Sequence, residues 1–283
     1  MTVQTGEGPR ACGVFEGAYV DVNAADPSLP STVRGLLALG AEGQKRAWDA
    51  LAKGKVRHDP STATHLSPVH DPRKIICIGL NYSDHARESG VEPPPEPVLF
   101  SKYPTALTGH GANIELPPES KEVDYEAELV VVIGQGGRRI PREKAMEHVG
   151  GYTVGHDVSA RDWQLNKPGK QWMAGKTFDT FAPTGPALVT PDEAGDPNKM
   201  GIRLRLNGQT MQDSTTAQLI FKVDELIAYL SNVFTLEPGD LIFTGTPPGV
   251  GMARKPPVWL KPGDVTEVEI DGLGVLRNTV VQG

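Results

Sequence analysis

The sequence predicts a β-rich α+β fold, and three observations lead to that prediction. Most apolar runs are short and bounded by turn residues, as in KIICIGL and DLIFTG, which is typical of strands. The 283 residues include 32 glycines and 25 prolines, a content that favours many turns over a helical bundle. The run RLNGQTM alternates around Asn207-Gly208, a pair preferred in two-residue hairpin turns. The elements do not alternate as βαβ units, which argues against a dinucleotide-binding fold.

Residues 1–70 are expected to form a small N-terminal module. The segments GVFEG and YVDV are predicted strands around a turn, and Ser31 or Thr32 is expected to cap a helix that runs through Leu37. EGQKRAWDALAK predicts a second, amphipathic helix. The polar, proline-containing stretch RHDPSTATHLSPVHDP is predicted to be a linker.

Residues 71–283 are expected to form the larger, catalytic domain. Its predicted strands are, in order, KIICIGL, PVLFSK, NIELP, VDYEAELVVVIG, GYTVGHDVS, the two arms of IRLRLNGQTMQDS, DLIFTG, DVTEVEID and GVLRNTVVQ. Its predicted helices are PREKAMEHV, which has proline in its first turn, and the amphipathic FKVDELIAYLSNV.

Composition and charge narrow the function classes. The net charge is −7 and no Lys/Arg block is present, so we expect no nucleic-acid partner. No apolar run reaches membrane-spanning length, so we expect no membrane partner. Two scattered cysteines form no disulfide framework and the N-terminus has no presequence pattern. These features predict a cytoplasmic protein, or one of the mitochondrial matrix if a presequence has been removed.

A nucleotide-binding loop is also disfavoured. GKQWMAGKT resembles a phosphate-binding loop, but five residues instead of four separate its first glycine from the Gly-Lys pair. The segment also contains a bulky tryptophan and methionine, and no buried strand leads into it.

The strongest chemical signal is a pair of glutamates at the head of a very apolar strand. Glu126 and Glu128 precede the run VVVI, and residues i and i+2 of a strand point to the same face about 6.6 Å apart. Two carboxylates at this spacing can converge on one hard cation, and Asp124 continues the face. The alternative is that both glutamates lie on a solvated face and that burial begins only at the valines.

A second acidic cluster lies in GHDVSARDWQ. Asp157 is predicted near the end of a strand, with Arg161 and Gln164 just beyond it. A third carboxylate beside Glu126 and Glu128 would complete an all-oxygen site, which suits Mg²⁺, Mn²⁺ or Ca²⁺. The alternative for Asp157 is a turn or capping residue.

The segment GLNYSDHARESG predicts a short helix in which His85 and Glu88 share a face. A carboxylate that orients an imidazole makes a general base. Flanking glycines and the following VEPPPEP predict that residues 81–96 move as a lid. The alternative is a His–Glu pair that only decorates a fixed surface helix.

The segment DLIFTGTPPGVG predicts a strand that opens into a glycine- and proline-rich loop. Backbone N–H groups of such a loop can bind carboxylate oxygens, and Thr246 can donate its hydroxyl. Lys102 and Lys176 are candidate cations for the same site. A rigid turn and solvated lysines are the alternatives.

Together these motifs resemble the fumarylacetoacetate hydrolase superfamily. The segments GLNYSDHARE, VDYEAELVVVIG, GHDVSARDWQ, GKTFDTFAPTGP, RLNGQTMQDS and GDLIFTGTPPGVG occur in the family's order over roughly residues 73–281. The resemblance implies a β-sandwich roll, usually in homodimers. It also implies a divalent metal, Mg²⁺ or Mn²⁺ with Ca²⁺ possible, bound by Glu126, Glu128 and Asp157.

The resemblance further implies roles for the other candidates. His85 and Glu88 are expected to form the catalytic dyad of the lid, together with Lys176 as a catalytic cation. The groups expected to bind and polarise a 2-oxo acid substrate are Arg161, Gln164, Thr246 and Lys102.

The expected chemistry acts on small enolisable 2-oxo acids. A divalent ion chelated by the carboxylate and keto oxygens stabilises the enolate, and a base can then move a proton at C3 or activate water. The resemblance favours oxaloacetate enol–keto tautomerisation. The alternatives are C–C hydrolysis of acylpyruvates, oxaloacetate decarboxylation, and a non-catalytic metal-binding module.

Overall fold

The computed structural model describes residues 1–90 and 92–283, except for the side chain of Ser89. Its N-terminal part contains five strands and three helices, which are listed here in chain order: β1 (Thr2–Thr5), β2 (Gly8–Phe15), β3 (Ala18–Asp21), α1 (Val22–Ala25), α2 (Val33–Ala38), α3 (Gly40–Leu51), β4 (Arg57–His58) and β5 (Thr64–Leu66).

The N-terminal strands form one sheet in the order β4-β3-β2-β1-β5. The predicted β2–β3 hairpin and both predicted helices are confirmed, and Thr32 caps α2 by accepting a hydrogen bond from the N–H of Gly35. The predicted linker is wrong in part, because β4 and β5 lie within it and pair with β3 and β1. Isolated two- and three-residue strands carry too little hydrophobic pattern to be recognised among prolines and polar residues.

The remaining strands and helices belong to the larger unit. They are β6 (Ile75–Gly79), α4 (Ser83–Ser89), β7 (Val98–Lys102), β8 (Leu107–Thr108), β9 (Asn113–Leu116), β10 (Val123–Asp124), β11 (Ala127–Ile133), β12 (Val149–His156), β13 (Ser159–Ala160), α5 (Arg161–Asn166), α6 (Trp172–Lys176), β14 (Ala182–Val189), α7 (Pro191–Ala194), β15 (Gly201–Leu206), β16 (Gln209–Thr215), α8 (Val223–Val233), β17 (Leu241–Phe243), β18 (Val265–Ile270) and β19 (Gly274–Gln282). Short 3₁₀ helices span Pro104–Ala106, Arg142–His148, Thr216–Gln218 and Gly251–Ala253.

Two stacked sheets form the centre of the larger unit, as the predicted β-rich class and β-sandwich roll require. A seven-stranded sheet has the order β7-β6-β17-β11-β12-β14-β8, and a five-stranded sheet has the order β16-β15-β18-β19-β9. β10 and β13 make a separate two-stranded pair. The two large sheets meet through β11–β15, β12–β18 and β14–β19, and their facing side chains share one apolar core.

Strand β11 is buried on both faces, which explains its unbroken apolar run. Leu129, Val131 and Ile133 enter the core between the sheets. Val130 and Val132 point the other way and pack with apolar residues of the N-terminal part. Because that cluster joins both parts of the chain, the division at residue 70 stays a prediction.

Local geometry confirms some predicted elements and revises others. Asn207 and Gly208 both have positive φ, 53° and 80°, which is the twist a tight two-residue β-hairpin needs. The predicted helix PREKAMEHV is instead a 3₁₀ helix preceded by Pro141. The predicted strand VDYEAELVVVIG is broken, because Tyr125 and Glu126 lie between β10 and β11.

The topology collects four chain segments at one end of the seven-stranded sheet. β6 and β17 are parallel and both end there. β11 is antiparallel to β17 and therefore begins there, while β12 is antiparallel to β11 and ends there. The chemistry-bearing motifs predicted from the sequence sit at these four strand ends. Among the described residues, no helix combines the length and the apolar content needed to cross a membrane.

Candidate active site

Three carboxylates converge at this end of the sheet. Glu126, Glu128 and Asp157 each offer an oxygen within 4.8 Å of the others, and all three side chains are buried. Glu126 immediately precedes β11 and Asp157 immediately follows β12, and the backbone N–H of Asp157 donates to the carbonyl of Glu126 over 2.9 Å. The antiparallel pairing of these two strands therefore brings together residues that are about thirty positions apart in sequence.

Glu126 is held as a carboxylate by two cations. The ammonium of Lys176 donates to its Oε2 over 2.7 Å, and Arg161 Nη2 donates to its Oε1 over 2.6 Å. Burial alone would raise the pKa of Glu126, but the charges and hydrogen bonds of Lys176 and Arg161 outweigh it and lower the pKa well below the ordinary value.

Asp157 retains an acceptor that the protein leaves without a directed hydrogen bond. Its Oδ2 accepts from Lys176 over 2.9 Å. Its Oδ1 lies 2.6 Å from the Nζ of Lys102 but receives no well-aligned donor. The three hydrogens of that ammonium are directed to the backbone carbonyls of Val158, Lys176 and Phe181. A buried carboxylate oxygen in this condition suits a cation better than the protein groups around it.

Glu128 lacks a salt bridge to any of the described residues. One hydrogen bond reaches it, from the N–H of Gly245 over 2.8 Å. Burial and repulsion from Asp157 and Glu126 raise its pKa well above the ordinary value, although Lys176 and the Gly245 N–H oppose that shift. Of the three carboxylates, Glu128 would therefore be stabilised most by an additional positive charge nearby.

The donor set fits a hard divalent cation. Four buried carboxylates, the trio and Asp124, face three buried cations, so one negative charge is left over when all are ionised. Oxygen ligands alone suit Mg²⁺, Mn²⁺ or Ca²⁺, and so do the Asp157 Oδ1 that accepts no aligned hydrogen bond and the Glu128 that forms no salt bridge among the described residues. Burial and Lys102 lower the pKa of the neighbouring His156 to about 3, so this imidazole is neutral and adds no charge.

Arg161 and Gln164 lie on α5 and line the same cavity as Glu126 and Glu128. Arg161 is held by several partners: besides Glu126 it donates through Nε to Asp124 over 2.9 Å and through Nη1 to Gln164 Oε1 over 2.9 Å. Because the amide oxygen of Gln164 is used in this way, its Nε2 hydrogens are the part that can donate to a molecule in the cavity.

The predicted dyad is present on α4. The Nδ1 of His85 lies 3.1 Å from Glu88 Oε2, and since a carboxylate only accepts, that nitrogen carries the hydrogen. The other nitrogen, Nε2, is then the basic atom of a side chain that lines the cavity. Glu88 also accepts from the N–H of Gly249 over 3.0 Å. The predicted lid, residues 81–96, includes Val91, which lies outside the described residues, and its motion stays a prediction.

The sequence predicted that backbone N–H groups of the loop after β17 can bind carboxylate oxygens. Three of its N–H groups do bind carboxylates, but these belong to the protein itself: Gly245 binds Glu128, Gly249 binds Glu88 and Gly251 binds Asp124. Gly249 has φ +101°, and a Cβ there would lie 2.2 Å from a backbone oxygen, so only glycine fits. Thr246 lines the cavity, and its binding of substrate stays a prediction.

Lys102 does not reach the cavity. It lies behind Asp157, is 2% exposed, and gives its hydrogens to backbone carbonyls. Burial lowers its pKa, although the charge of Asp157 opposes this. The geometry fits a cation that holds Asp157 and the neighbouring backbone, and it does not fit a group that binds substrate.

The cavity has a volume of about 230 Å³ and an apolar wall that the sequence did not indicate. Phe100 and Trp172 pack edge to face with their ring centroids 5.8 Å apart, and Lys176 Nζ lies 5.0 Å from the Phe100 centroid. Leu165 and Met252 complete this side. Such a wall excludes water from one side of a small polar ligand.

Two buried polar residues, Asp124 and Gln212, shape the site in ways that the sequence did not indicate. Asp124 does not join the trio; it accepts from Arg161 and from the N–H groups of Gly251 and Met252, and so ties the loop to α5. Gln212 on β16 binds both β11 and the loop. One polar side chain on a mostly polar strand is too common a feature to have identified Gln212 from the sequence.

Comparison with known proteins gives one family. The model of the fumarylacetoacetate (FAA) hydrolase C-terminal family matches residues 74–281. A Xenopus laevis protein named mitochondrial oxaloacetate tautomerase fahd2 is 53% identical over 265 residues, which is 94% of this chain and 83% of that protein.

Solved structures agree in fold. A Mycobacterium smegmatis protein, provisionally identified as HpcE, is 41% identical with a TM-score of 0.91, and the match covers 100% of this chain and 99% of that one. A fumarylacetoacetate hydrolase from Exiguobacterium antarcticum is 34% identical with a TM-score of 0.81, over 100% and 98% of the two chains.

Proposed function

The chain belongs to the fumarylacetoacetate hydrolase family of enzymes, and we propose that it catalyses the enol–keto tautomerisation of oxaloacetate. One observation carries the proposal: an imidazole, an ammonium and two of three clustered carboxylates line one cavity. The name of the 53% identical Xenopus laevis relative supplies the substrate.

The carboxylate trio would hold a divalent cation, Mg²⁺ or Mn²⁺, with Ca²⁺ as a further candidate. When bound, such an ion polarises the keto oxygen of a 2-oxo acid and so makes its C3 hydrogens more acidic. The protein's own contribution is to neutralise and orient the site. Lys176 and Arg161 keep Glu126 ionised, and Lys176 places its positive charge beside the cavity, where an enolate oxygen would gain negative charge.

We assign the proton transfer to the imidazole of His85. Its Nδ1 is held by Glu88, so Nε2 is the atom that moves the proton. In the enolising direction Nε2 takes a proton from C3 and the enolate oxygen then receives one from Nε2 or from water. In the ketonising direction the enol hydroxyl gives up its proton to Nε2 or to water, and protonated Nε2 delivers a proton to C3. The amide hydrogens of Gln164 and the hydroxyl of Thr246 are assigned to the substrate's carboxylate and keto oxygens, and Arg161 orients Gln164.

The size of the cavity favours oxaloacetate over longer acids. A volume of about 230 Å³ lies below the range of about 300–1,000 Å³ that is usual for drug-sized ligands. The second candidate is C–C hydrolysis of acylpyruvates, because the same His85 nitrogen can deprotonate water and because one structural relative is named a fumarylacetoacetate hydrolase. Oxaloacetate decarboxylation is the third.

A single panel of assays separates these activities. Enol-oxaloacetate, acetylpyruvate and fumarylpyruvate are supplied with Mg²⁺ or Mn²⁺, enol absorbance is followed in the ultraviolet, and pyruvate is measured by a coupled dehydrogenase. Accelerated loss of enol-oxaloacetate without pyruvate supports tautomerisation. Pyruvate from oxaloacetate would indicate a decarboxylase, and pyruvate from an acylpyruvate a hydrolase. A protein that binds metal but leaves all three unchanged would contradict every enzymatic assignment.

We further propose a homodimer that acts in the mitochondrial matrix. The homodimer follows from family resemblance, and the compartment follows from the name of the Xenopus laevis relative. Light scattering of the purified protein tests the first, with twice the chain mass expected. Fractionation of source cells, where they contain the organelle, tests the second.

A further inference from the structure

The side-chain amide of Gln212 reaches from the five-stranded sheet to two parts of the site on the seven-stranded sheet, the start of β11 and the loop after β17. Gln212 lies on β16, and its side chain is 1% exposed. Its Oε1 accepts from the N–H of Ala127, the residue between Glu126 and Glu128, over 2.8 Å. Its Nε2 donates to Thr246 Oγ1 over 2.9 Å and to the carbonyl of Pro247 over 2.8 Å.

These partners allow one orientation of the amide. An N–H group can only donate and a carbonyl oxygen can only accept. If the amide of Gln212 were rotated by half a turn, its NH₂ would face the N–H of Ala127 and its oxygen would face the carbonyl of Pro247. Both contacts would be repulsive inside a buried region, which is costly. The Gln212 NH₂ is therefore directed at Thr246.

The hydroxyl of Thr246 consequently has a defined direction. Its oxygen accepts from Gln212, so its single hydrogen must be donated to another group. No acceptor for it is found among residues 1–90 and 92–283, and Thr246 lines the cavity. The hydrogen is left for a ligand in the cavity. A carboxylate or enolate oxygen accepts such a hydrogen.

We propose that Gln212 is a positioning residue that makes Thr246 a hydrogen-bond donor to the carboxylate of the substrate. Gln212 does not line the cavity, so it acts through Thr246. Because the same amide binds the backbone between Glu126 and Glu128, it also fixes the distance between the anion-binding hydroxyl and the carboxylate trio. The inference rests on the proposed function only in that the ligand is a 2-oxo acid.

A double-mutant cycle tests the coupling through binding. The variants are Gln212→Met, which keeps the side-chain length without the amide, Thr246→Val, which keeps the shape without the hydroxyl, and both together. Gln209→Met, on the exposed face of the same hairpin, is the matched control. Calorimetry measures oxalate affinity in the presence of Mn²⁺ and, separately, Mn²⁺ affinity.

Each single variant should weaken oxalate binding about tenfold, because one hydrogen bond to a charged group is lost. The double variant should be no weaker than either single one. Mn²⁺ affinity should stay within about twofold, and KM should rise more than kcat falls. If the double variant lost oxalate affinity by the product of the two single losses, the residues would act independently and the inference would be overturned. The inference would also be overturned if Gln212→Met kept wild-type oxalate affinity, or if the wild type did not bind oxalate.

A second background covers the case in which Gln212→Met does not fold. Gln212→Glu keeps the length and the acceptor for Ala127, and in its ionised form it cannot donate to Thr246, so binding to this variant is measured at alkaline pH. The change in oxalate affinity caused by Thr246→Val is then measured in the wild-type background and in the Gln212→Glu background. Because both proteins of the second comparison carry the added charge, its direct effect on oxalate binding cancels. The effect should vanish in the Gln212→Glu background; an undiminished effect contradicts the inference. If Gln212 and Thr246 were coupled in oxalate binding but the protein did not turn over oxaloacetate, the proposed function would be wrong while the inference about Gln212 would stand.

Discussion

Replacing Lys176 by methionine should destabilise the metal-free protein by about 3–5 kcal/mol. The lysine is 3% exposed and donates to Glu126 over 2.7 Å and to Asp157 over 2.9 Å. Each charge-assisted hydrogen bond contributes about 1.5–3 kcal/mol, so two give roughly 3–6 kcal/mol. Methionine recovers a little of this by packing against Phe100, whose ring centroid lies 5.0 Å from the lysine nitrogen.

Urea unfolding of chelator-treated protein, followed by circular dichroism, measures this change. Lys199→Met is the control, because Lys199 pairs with Asp196 at the surface and its loss should leave the free energy of unfolding unchanged. Added Mn²⁺ should restore part of the loss in Lys176→Met, since the ion supplies positive charge to the same carboxylates. A loss of less than about 1 kcal/mol without metal would refute the view that Lys176 neutralises buried carboxylates.

Three further outcomes are expected. His85→Ala should keep metal affinity and lose roughly 10²-fold or more in kcat, as expected for a lost general base; intact turnover would contradict the dyad. Amide hydrogen exchange in residues 81–96 should be fast with metal alone and slow with oxalate, whereas exchange that is slow in both states or unchanged by oxalate would exclude a ligand-gated lid. Burial lowers the pKa of His65 and of His110, so the stability that these neutral rings contribute is present above about pH 6.5 and is lost as the pH falls. Urea unfolding between about pH 6.5 and 5 should therefore show a shallower decline in His110→Asn than in the wild type, and equal slopes would refute this.

Much of the fold follows from local patterns. The Asn207-Gly208 hairpin, the cap at Thr32 and the β-rich class were predicted because turn chemistry and hydrophobic periodicity act over a few residues. The strand break at Tyr125 was not predictable from periodicity. It depends on β10 pairing with β13, a long-range contact that no local pattern in VDYEAELVVVIG encodes.

The candidate site, like the fold, has one part that local sequence patterns predict and another that depends on long-range contacts. The metal-ligand types and the His85–Glu88 pair carry their chemistry in their own side chains, so motif spacing was enough to nominate them. Lys102 shows where that reasoning stops, because a lysine near a motif gave no sign that three backbone carbonyls surround its ammonium. The role of Gln212 likewise depends on partners from β11 and the loop after β17, more than thirty residues away in sequence.

Calorimetric titration of Mn²⁺ into Glu128→Gln tests the central claim, a divalent site at the carboxylate trio, most directly. Glu128 forms no salt bridge among the described residues, and a glutamine oxygen can still accept from Gly245, so the fold and the pairs of Lys176 and Arg161 should survive. The account predicts unfolding stability equal to or above that of the metal-free wild type, with Mn²⁺ binding lost; the surface variant Glu119→Gln should bind as the wild type does. Wild-type Mn²⁺ affinity in folded Glu128→Gln would contradict the account.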